Sequence, residues 1–533
     1  MPNSQSQHPE EIKKAVTERA QNEQREFGSA NPSGKEPITD RFYEQCFWED
    51  QDGDADLFRR IFEGRLVYDY REDAWYRFED HSWRRLYGEQ VLSCTRDLVK
   101  EWTRAMWRYQ KRRQETSDGD ECDRLEKWEK RFKSRADSLK KITRKRSIIS
   151  LAKTMDDFLF HGEWDQVPLR FACANGVINL ETFELEPGRP QDYIRTASPA
   201  EYDPDAKCDT WEQFLLEIFD GDVETIEYIQ KVFGYSITGL ANINRFHLFY
   251  GEHGQNGKGT MLETLFQVLG DYASPIQSEM LLDRGVPKNP DAPSASLYDL
   301  YGKRVIWGSE TEENRRFSAA AVKFLAGGDT VWCRAPHAKE PIKFPPTHSL
   351  FLLTNHRPGI SAKETAFWSR CRVVPFNLSF VENPRQSFER PYNPKLKLEL
   401  TQELPGILRW IVDGCQKWQA DGHLEWSQAV KEATTGYRDE VDICLKFFRE
   451  VCVENEQSRI QSSDLYTAFK VWALESGVQQ KRYLWSSNKW GREMTAFVQR
   501  TPGISKTDSK KSSVVHYLGF TVSEDYWKAV HDE

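Results

Sequence analysis

The stretch Phe246-His247-Leu248-Phe249-Tyr250-Gly251-Glu252-His253-Gly254-Gln255-Asn256-Gly257-Lys258-Gly259-Thr260 decides the fold class. It predicts a short apolar strand, a glycine-rich turn ending in Gly-Lys, and a helix beginning near Met261, the layout of a phosphate-binding loop. Glycines let successive backbone N–H groups converge on phosphate oxygens where a side chain would block them. The helix N-terminus adds its positive end to the same anion. Lys258 adds a mobile charge for the outer phosphates. The spacing departs from the usual pattern at two places. Gly251 and Gly257 are separated by one residue more than usual, and Gly259 stands where a magnesium-binding Ser/Thr normally follows the lysine, with Thr260 one place later. Taken alone, such a loop is also compatible with a plain turn between core elements.

Further along, a second apolar run, Arg304-Val305-Ile306-Trp307-Gly308-Ser309, ends in Glu310-Thr311-Glu312-Glu313. Carboxylates at the C-terminal end of a strand in an open α/β sheet face the ligand crevice. There they are able to hold magnesium and polarise an attacking water, although acids after a strand are also the ordinary composition of a solvated turn. A third run, Ser349 to Thr354, ends in Asn355, an amide placed to donate to a γ-phosphate or orient water. Phe367-Trp368-Ser369-Arg370-Cys371-Arg372 then precedes Val373-Val374-Pro375-Phe376. Either arginine fits a surface ion pair or an arginine finger that stabilises charge on a transferred phosphoryl group. Between the second and third runs, Val331-Trp332-Cys333-Arg334 and Ile342-Lys343-Phe344 predict a hairpin with His337 and Lys339 near its tip.

The whole chain has 533 residues, room for about three or four domains. A hydrophobic content of 38% with 18 tryptophans predicts that most of it folds. No run approaches the ~20 apolar residues of a membrane span, and the start is polar, so no membrane partner and a cytoplasmic location are expected. Ten scattered cysteines without a C-x-x-C pair argue against zinc ribbons and disulfide frameworks and for free thiols. The net charge of −9 does not suggest a nucleic-acid coat. Two segments are nevertheless basic, from Lys100 to Arg146 and from Lys481 to Lys511, each fitting either a solvated helix face or a nucleic-acid contact.

Residues 1–38 have the composition of a disordered tail. Residues 40–86 are an aromatic segment whose tryptophans are expected in a core rather than on a base-stacking platform, and Leu66 to Tyr70 and Trp75 to Phe78 within it predict a hairpin. Helical periodicity runs over 89–160, broken at Asp118-Gly119-Asp120. Residues 211–240 predict two helices ending at Gly239. These readings divide the chain into 1–38, a 39–240 aromatic and helical domain, a 241–380 α/β core of parallel strands and helices, a 381–435 helical extension, and a small 436–533 α+β module.

The series G-x-x-G-x-N-G-K-G-T, S-E-T-E-E, G-G-D-T, a basic hairpin, T-N-H-R-P and W-S-R-C-R-V-V-P-F resembles the phage and plasmid primase–helicase family, superfamily 3 helicases within the AAA+ ATPases. The order and spacing fit over 245–376, with weaker similarity across 40–520. The resemblance implies ATP and Mg2+ as cofactors. It makes Gly251, Gly254, Asn256, Gly257, Lys258 and Gly259 the ATP-binding residues, Thr260 and Glu310 the metal ligands, and Glu310 and Glu312 the metal and water-activating acids. Asn355 becomes the sensor. Arg370 is the better candidate for a finger reaching into a neighbouring subunit, but Ser369 replaces one of two adjacent family arginines, so Arg370 and Arg372 both stay open. His337 and Lys339 match a pore hairpin gripping DNA, and Lys481, Arg482, Lys510 and Lys511 fall in a winged-helix-like DNA-binding module. There is no room before the helical domain for the family's N-terminal primase fold, so the expectation is the helicase part alone.

The implied activity is an ATP-driven helicase or translocase, a ring expected to be a homohexamer, moving 3′ to 5′ on single-stranded or forked DNA during replication of a phage, plasmid or integrated element, with a separate primase or polymerase as a further partner. A rival from another class is an ATP-switched DNA-binding initiator or loader with little unwinding. A small-molecule kinase is a third reading, opposed by the acids, the amide and the arginines on successive elements.

Overall fold

The structure is a computed structural model that describes residues 38–283, 294–309, 316–334, 341–478, 484–507 and 514–531. It divides into two compact units, one made of residues up to Tyr68 with Leu86–Leu159, the other of Asp69–Arg85 with Phe160–Glu533. The sequence reading drew one boundary near residue 240; instead, 160–240 group with the α/β core, because Trp211, Phe214, Ile229 and Phe233 share a core cluster with Phe249, Phe351 and Val374.

The first unit is helical, with helices at Asp40–Trp48, Asp50–Phe62, Thr95–Glu115, Gly119–Ser138 and Ile142–Ala152. Asp118 breaks the long helical run as expected, accepting from the Asp120 N–H at 3.0 Å to start the next helix. Leu98, Trp102, Ala105 and Tyr109 recur at helical spacing and are buried, as are Leu125, Trp128, Phe132 and Ala136. At its centre Asp54, fully buried, accepts from Trp102 Nε1 at 3.1 Å, Arg135 Nη1 at 3.2 Å and Arg144 Nε at 2.7 Å.

Much of the basic run is spent in such local contacts. Arg112 donates to Asp40 at 2.6 Å, Arg113 lies 3.2 Å from Glu129, Lys130 lies 2.6 Å from Glu126, and Arg146 pairs with Glu89. Arg131 lies over both the Trp48 and Trp128 rings, at 4.8 and 4.7 Å from their centroids. Trp48 departs from the core expectation, being 64% exposed, whereas Trp75 and Trp83 are buried.

The second unit holds a five-stranded, wholly parallel sheet: β1 (Phe246–Tyr250), β2 (Ala273–Ile276), β3 (Val305–Ser309), β4 (Ser349–Thr354) and β5 (Cys371–Pro375), in the order β5-β1-β4-β3-β2. β1 and β4 are apolar because both of their faces are covered, as parallel sheets require. In register, Thr354 stands beside Tyr250 and Pro375 beside Tyr250 on the other side. The turn after β1 therefore opens level with the turn after β4, at the carboxyl edge where open α/β sheets bind ligands. β2 was not legible: it is a four-residue edge strand interrupted by Pro275, which removes a ladder donor. The expected inserted hairpin forms, with Val331–Cys333 antiparallel to Ile342–Phe344.

Helices Asp209–Ile218, Val223–Ser236, Leu404–Asp421 and Gln428–Glu440 belong to the same unit. Its last part runs helix Ile443–Val451, strand Cys452–Gln461, helix Ser462–Glu475, helix Ser487–Arg500, strand Ser505–Lys506, strand His516–Val522, helix Glu524–His531. The three strands form an antiparallel sheet with His516–Val522 in the middle, and Phe447, Phe469, Trp472 and Trp490 fill a core of their own. All ten cysteines are free thiols. Among the described residues no helix is long and apolar enough to cross a membrane.

Candidate functional site

β1 ends at Tyr250 and the helix Lys258–Leu269 begins after seven residues of turn. Two of its glycines are fixed by their own surroundings. Gly257 has φ +85°, and a Cβ there would stand 2.5 Å from Ile218 Cγ2. At Gly251 a Cβ would stand 2.5 Å from the Phe376 carbonyl and 2.2 Å from Asn256 Nδ2. Gly254 and Gly259 differ: a Cβ on either would meet nothing within 4 Å. The protein itself leaves room at these two positions.

The turn is stapled from inside and outside. Asn256 is buried and donates to the His253 carbonyl at 2.6 Å. From the segment after β5, Ser379 Oγ donates to the Gly254 carbonyl at 2.9 Å and the Phe380 N–H to the Gln255 carbonyl at 2.8 Å. Phe388 stacks on His253 with ring centroids 4.1 Å apart. None of this strap was legible in the sequence, since nothing in 379–388 has a recognisable spacing.

Lys258 points back under the turn. Its Nζ donates to Asn355 Oδ1 at 2.7 Å and lies 3.4 Å from the Gly251 carbonyl. The side chain is 6% exposed, and burial pushes its pKa down to about 8. Among the described residues no carboxylate lies within hydrogen-bond reach of it, and its bonds go to a neutral amide and a carbonyl. Asn355, the residue just past β4, is thereby brought against Lys258 at the start of the helix after the glycine-rich turn. Thr260, in the first turn of the helix, is half-buried.

Glu310 and Glu312, the two expected acids, lie outside the described residues, as do His337 and Lys339 of the hairpin tip and Lys481, Arg482, Lys510 and Lys511. Among the described residues no group of three or more His, Cys, Asp or Glu is arranged to hold a metal. The hairpin strands that carry 335–340 are in place, and Trp332 on the first of them is 54% exposed.

The two arginines have different settings. The Arg370 carbonyl accepts from the Phe246 N–H, so Arg370 sits at the start of β1, roughly 16 Å along that five-residue strand from the glycine-rich turn. Its guanidinium is half-buried and donates to the Ala366 carbonyl at 2.8 Å. Arg372 is 2% exposed, with its guanidinium 3.5 Å from the Trp426 ring centroid and bonds to the Ser369 and Cys371 carbonyls at 3.2 and 2.6 Å. Burial, with Arg245 nearby, lowers its pKa to about 10.

Residues 55–220 match the family described as D5 N terminal like. Among curated proteins, the chain is 27% identical over 313 residues to "Putative helicase L207/L206" of Acanthamoeba polyphaga mimivirus, covering 56% of this chain and 32% of that protein. It is 28% identical over 382 residues to "Putative helicase 022R" of Frog virus 3 (isolate Goorha), covering 58% and 39%. The chain thus spans about a third of the length of the curated relatives it matches. Among solved structures, the A form apo structure of the NrS-1 C terminal region aligns with 80% of this chain and 81% of its own at 10% identity and a TM-score of 0.41, too low to assign a fold.

Proposed function

From a chain with a D5 N terminal-like segment at 55–220 and similarity to viral helicase-named proteins, we propose an ATP-dependent DNA helicase or translocase. The observation that carries the reading is the 2.7 Å bond between Lys258 Nζ and Asn355 Oδ1, which joins the phosphate loop to the end of the adjacent strand. ATP would lie in the turn 251–257, its phosphates received by backbone N–H groups and the helix N-terminus. Lys258 would exchange its amide partner for the outer phosphates, restoring the full charge that burial disfavours. Asn355, released from the lysine, is then placed to meet the γ-phosphate or orient water. Mg2+, held by Thr260 and Glu310, would neutralise phosphate charge when bound.

Arg370 lies too far from its own phosphate loop to act there. We therefore assign it to a neighbouring copy's ATP in a ring, the hexamer being the expected assembly. Arg372, buried against Trp426, is set aside as the finger. The helix–strand–helix–helix–strand–strand order of 443–522 fits a winged helix, and we read it as a DNA-binding module together with Lys481, Arg482, Lys510 and Lys511. His337 and Lys339 would grip the strand. Movement 3′ to 5′, a replicative role for a phage, plasmid or other mobile or viral element, and a separate primase or polymerase complete the proposal.

The test is strand displacement on a forked DNA alongside DNA-stimulated ATP hydrolysis, with Lys258→Ala as the control. The expected result is displacement and hydrolysis in the wild type and neither in the variant. Hydrolysis or nucleotide-dependent DNA binding without displacement would replace the helicase by an initiator or loader, and full hydrolysis by Lys258→Ala would remove the phosphate-loop assignment.

A further inference from the structure

The turn after β4 does more than present Asn355. Two residues on, Arg357 places its guanidinium 4.4 Å from the ring centroid of Tyr250, the last residue of β1 before the phosphate loop, and 5.7 Å from the Tyr437 ring. The same guanidinium pairs with Glu440, and Tyr437 Oη donates to the Pro358 carbonyl. Tyr437 and Glu440 are one turn apart at the end of helix Gln428–Glu440, which is anchored to β5 by a 2.9 Å bond from the Val373 N–H to Thr434 Oγ1. Immediately beyond, Asp442 accepts from the Cys444 and Leu445 N–H groups, both at 3.2 Å, to start the next helix, and pairs with Arg500 at the end of helix Ser487–Arg500. A second tie joins the same helix to the loop before Arg370: Lys363 Nζ lies 2.8 Å from Glu493 and donates to the Arg492 carbonyl at 3.2 Å.

We propose that Arg357 is a positioning residue which links the Asn355 turn to the C-terminal module through Glu440, so that nucleotide at Lys258 and Asn355 and DNA on the module alter each other's affinity. The inference rests on the nucleotide and DNA reading above and adds the route between the two ligands. Any movement of Asn355 as Lys258 turns to a phosphate shifts Pro358 and Arg357, which are bonded to the last turn before Asp442. A chain of discrete bonds between two sites is one physical carrier of coupling, and coupling between binding affinities acts equally in both directions. Stability is not the purpose of the Arg357–Glu440 pair, because the side chains are 27% and 47% exposed and such pairs contribute about 0–1 kcal/mol. Glu440→Gln therefore leaves the fold intact while cutting the charged link.

The experiment measures the affinity of the full chain for a fluorescent, non-hydrolysable ATP analogue with and without single-stranded oligothymidylate. The wild type is expected to show a change of about 5-fold or more on adding the strand. Glu440→Gln and Arg357→Ala are each expected to reduce it to about 1-fold, and the double variant to lose nothing further, as partners in one contact must. Arg357→Lys, which keeps the charge but not the planar stack on Tyr250, is expected to retain part of it. Coupling that persists in both single variants, or a wild type that binds the analogue with no response to the strand, overturns this inference and leaves the ATPase reading standing. A wild type that binds no analogue overturns both.

Discussion

Lys258 and Asn355, ninety-seven residues apart in sequence, are bonded Nζ to Oδ1 at 2.7 Å across adjacent parallel strands. The bond satisfies only one of three ammonium donors closely, in a site where burial has already lowered the pKa to about 8.

The first prediction follows from that pKa. In the unfolded chain the lysine titrates near 10.5, so between about 8 and that value the unfolded state binds more protons than the folded one. Stability attributable to this group therefore rises with pH through the window, the opposite of a lysine that gains a carboxylate partner. Polyphosphate binding needs the protonated form. Affinity for ADP is expected to be flat below pH 7.5 and to weaken toward tenfold per unit above about 8, with proton uptake on binding. Calorimetry at pH 8.5 in two buffers of different ionisation enthalpy reads that uptake directly, and its absence would mean that Lys258 does not meet the phosphates.

The glycines of the turn separate by role. Gly259→Ala places a Cβ where nothing stands within 4 Å, in the first turn of a helix, and is expected to raise stability by about 0.5–1 kcal/mol while reducing nucleotide affinity. Gly257→Ala, with φ +85° and Ile218 2.5 Å away, is expected to lower the melting temperature and abolish binding together. Thermal melts with and without ADP distinguish them. A Gly259→Ala protein that binds ADP as well as the wild type would show that the open face of the turn is not where the phosphates sit.

How much of this was legible depended on whether the constraint was local. Gly257, Lys258 and Asn355 announce themselves because strand ends and phosphate turns demand particular residue types at short spacing. The Asp118 helix start was readable for the same reason. Phe388 and Ser379 carry no such signal, and Arg357, although it lies in the T-N-H-R-P run, shows nothing of its contacts there, because these roles depend on partners 80 or more residues away: Glu440 for Arg357, His253 for Phe388 and Gly254 for Ser379. The Lys100–Arg146 charge run was ambiguous because composition does not show pairing, and the fold turns Arg112, Arg113, Lys130, Arg144 and Arg146 onto carboxylates.

That pairing makes a prediction for the helical unit. Asp54→Asn would leave Arg135 and Arg144 facing a neutral amide at a fully buried position, with Asp50 still paired to both at 2.8 and 2.7 Å. Burial already pushes the Asp54 carboxyl up to about 7 and Asp50 keeps each arginine paired, so the expected cost is that of a weakened buried hydrogen-bond set, about 1–3 kcal/mol. Urea unfolding followed by tryptophan fluorescence, to which Trp102 contributes among the chain's 18 tryptophans, reads the midpoint. An unchanged midpoint would show that Asp50 alone holds the two arginines.

The last prediction separates the two arginines. Arg372 is 2% exposed and stacked on Trp426, so its truncation acts on packing: Arg372→Ala is expected to cost about 2–4 kcal/mol through the cavity it leaves. Arg372→Met fills most of that volume without a buried charge, and such replacements are commonly neutral or stabilising. Its ATPase rate in the assembled protein is therefore expected to stay within about twofold of the wild type. Arg370→Ala touches a half-buried side chain whose one bond is to the Ala366 carbonyl, so its melting temperature is expected to change little. If the guanidinium reaches the ATP of a neighbouring copy, hydrolysis falls by about 10³-fold or more while ADP affinity is kept. Mixing Arg370→Ala with Lys258→Ala then restores part of the rate, because mixed interfaces recover one intact arginine opposite one intact lysine. Loss of hydrolysis in Arg372→Met with an unchanged melt, together with full activity in Arg370→Ala, would transfer the role to Arg372 and require that strand end to open in the assembled ring.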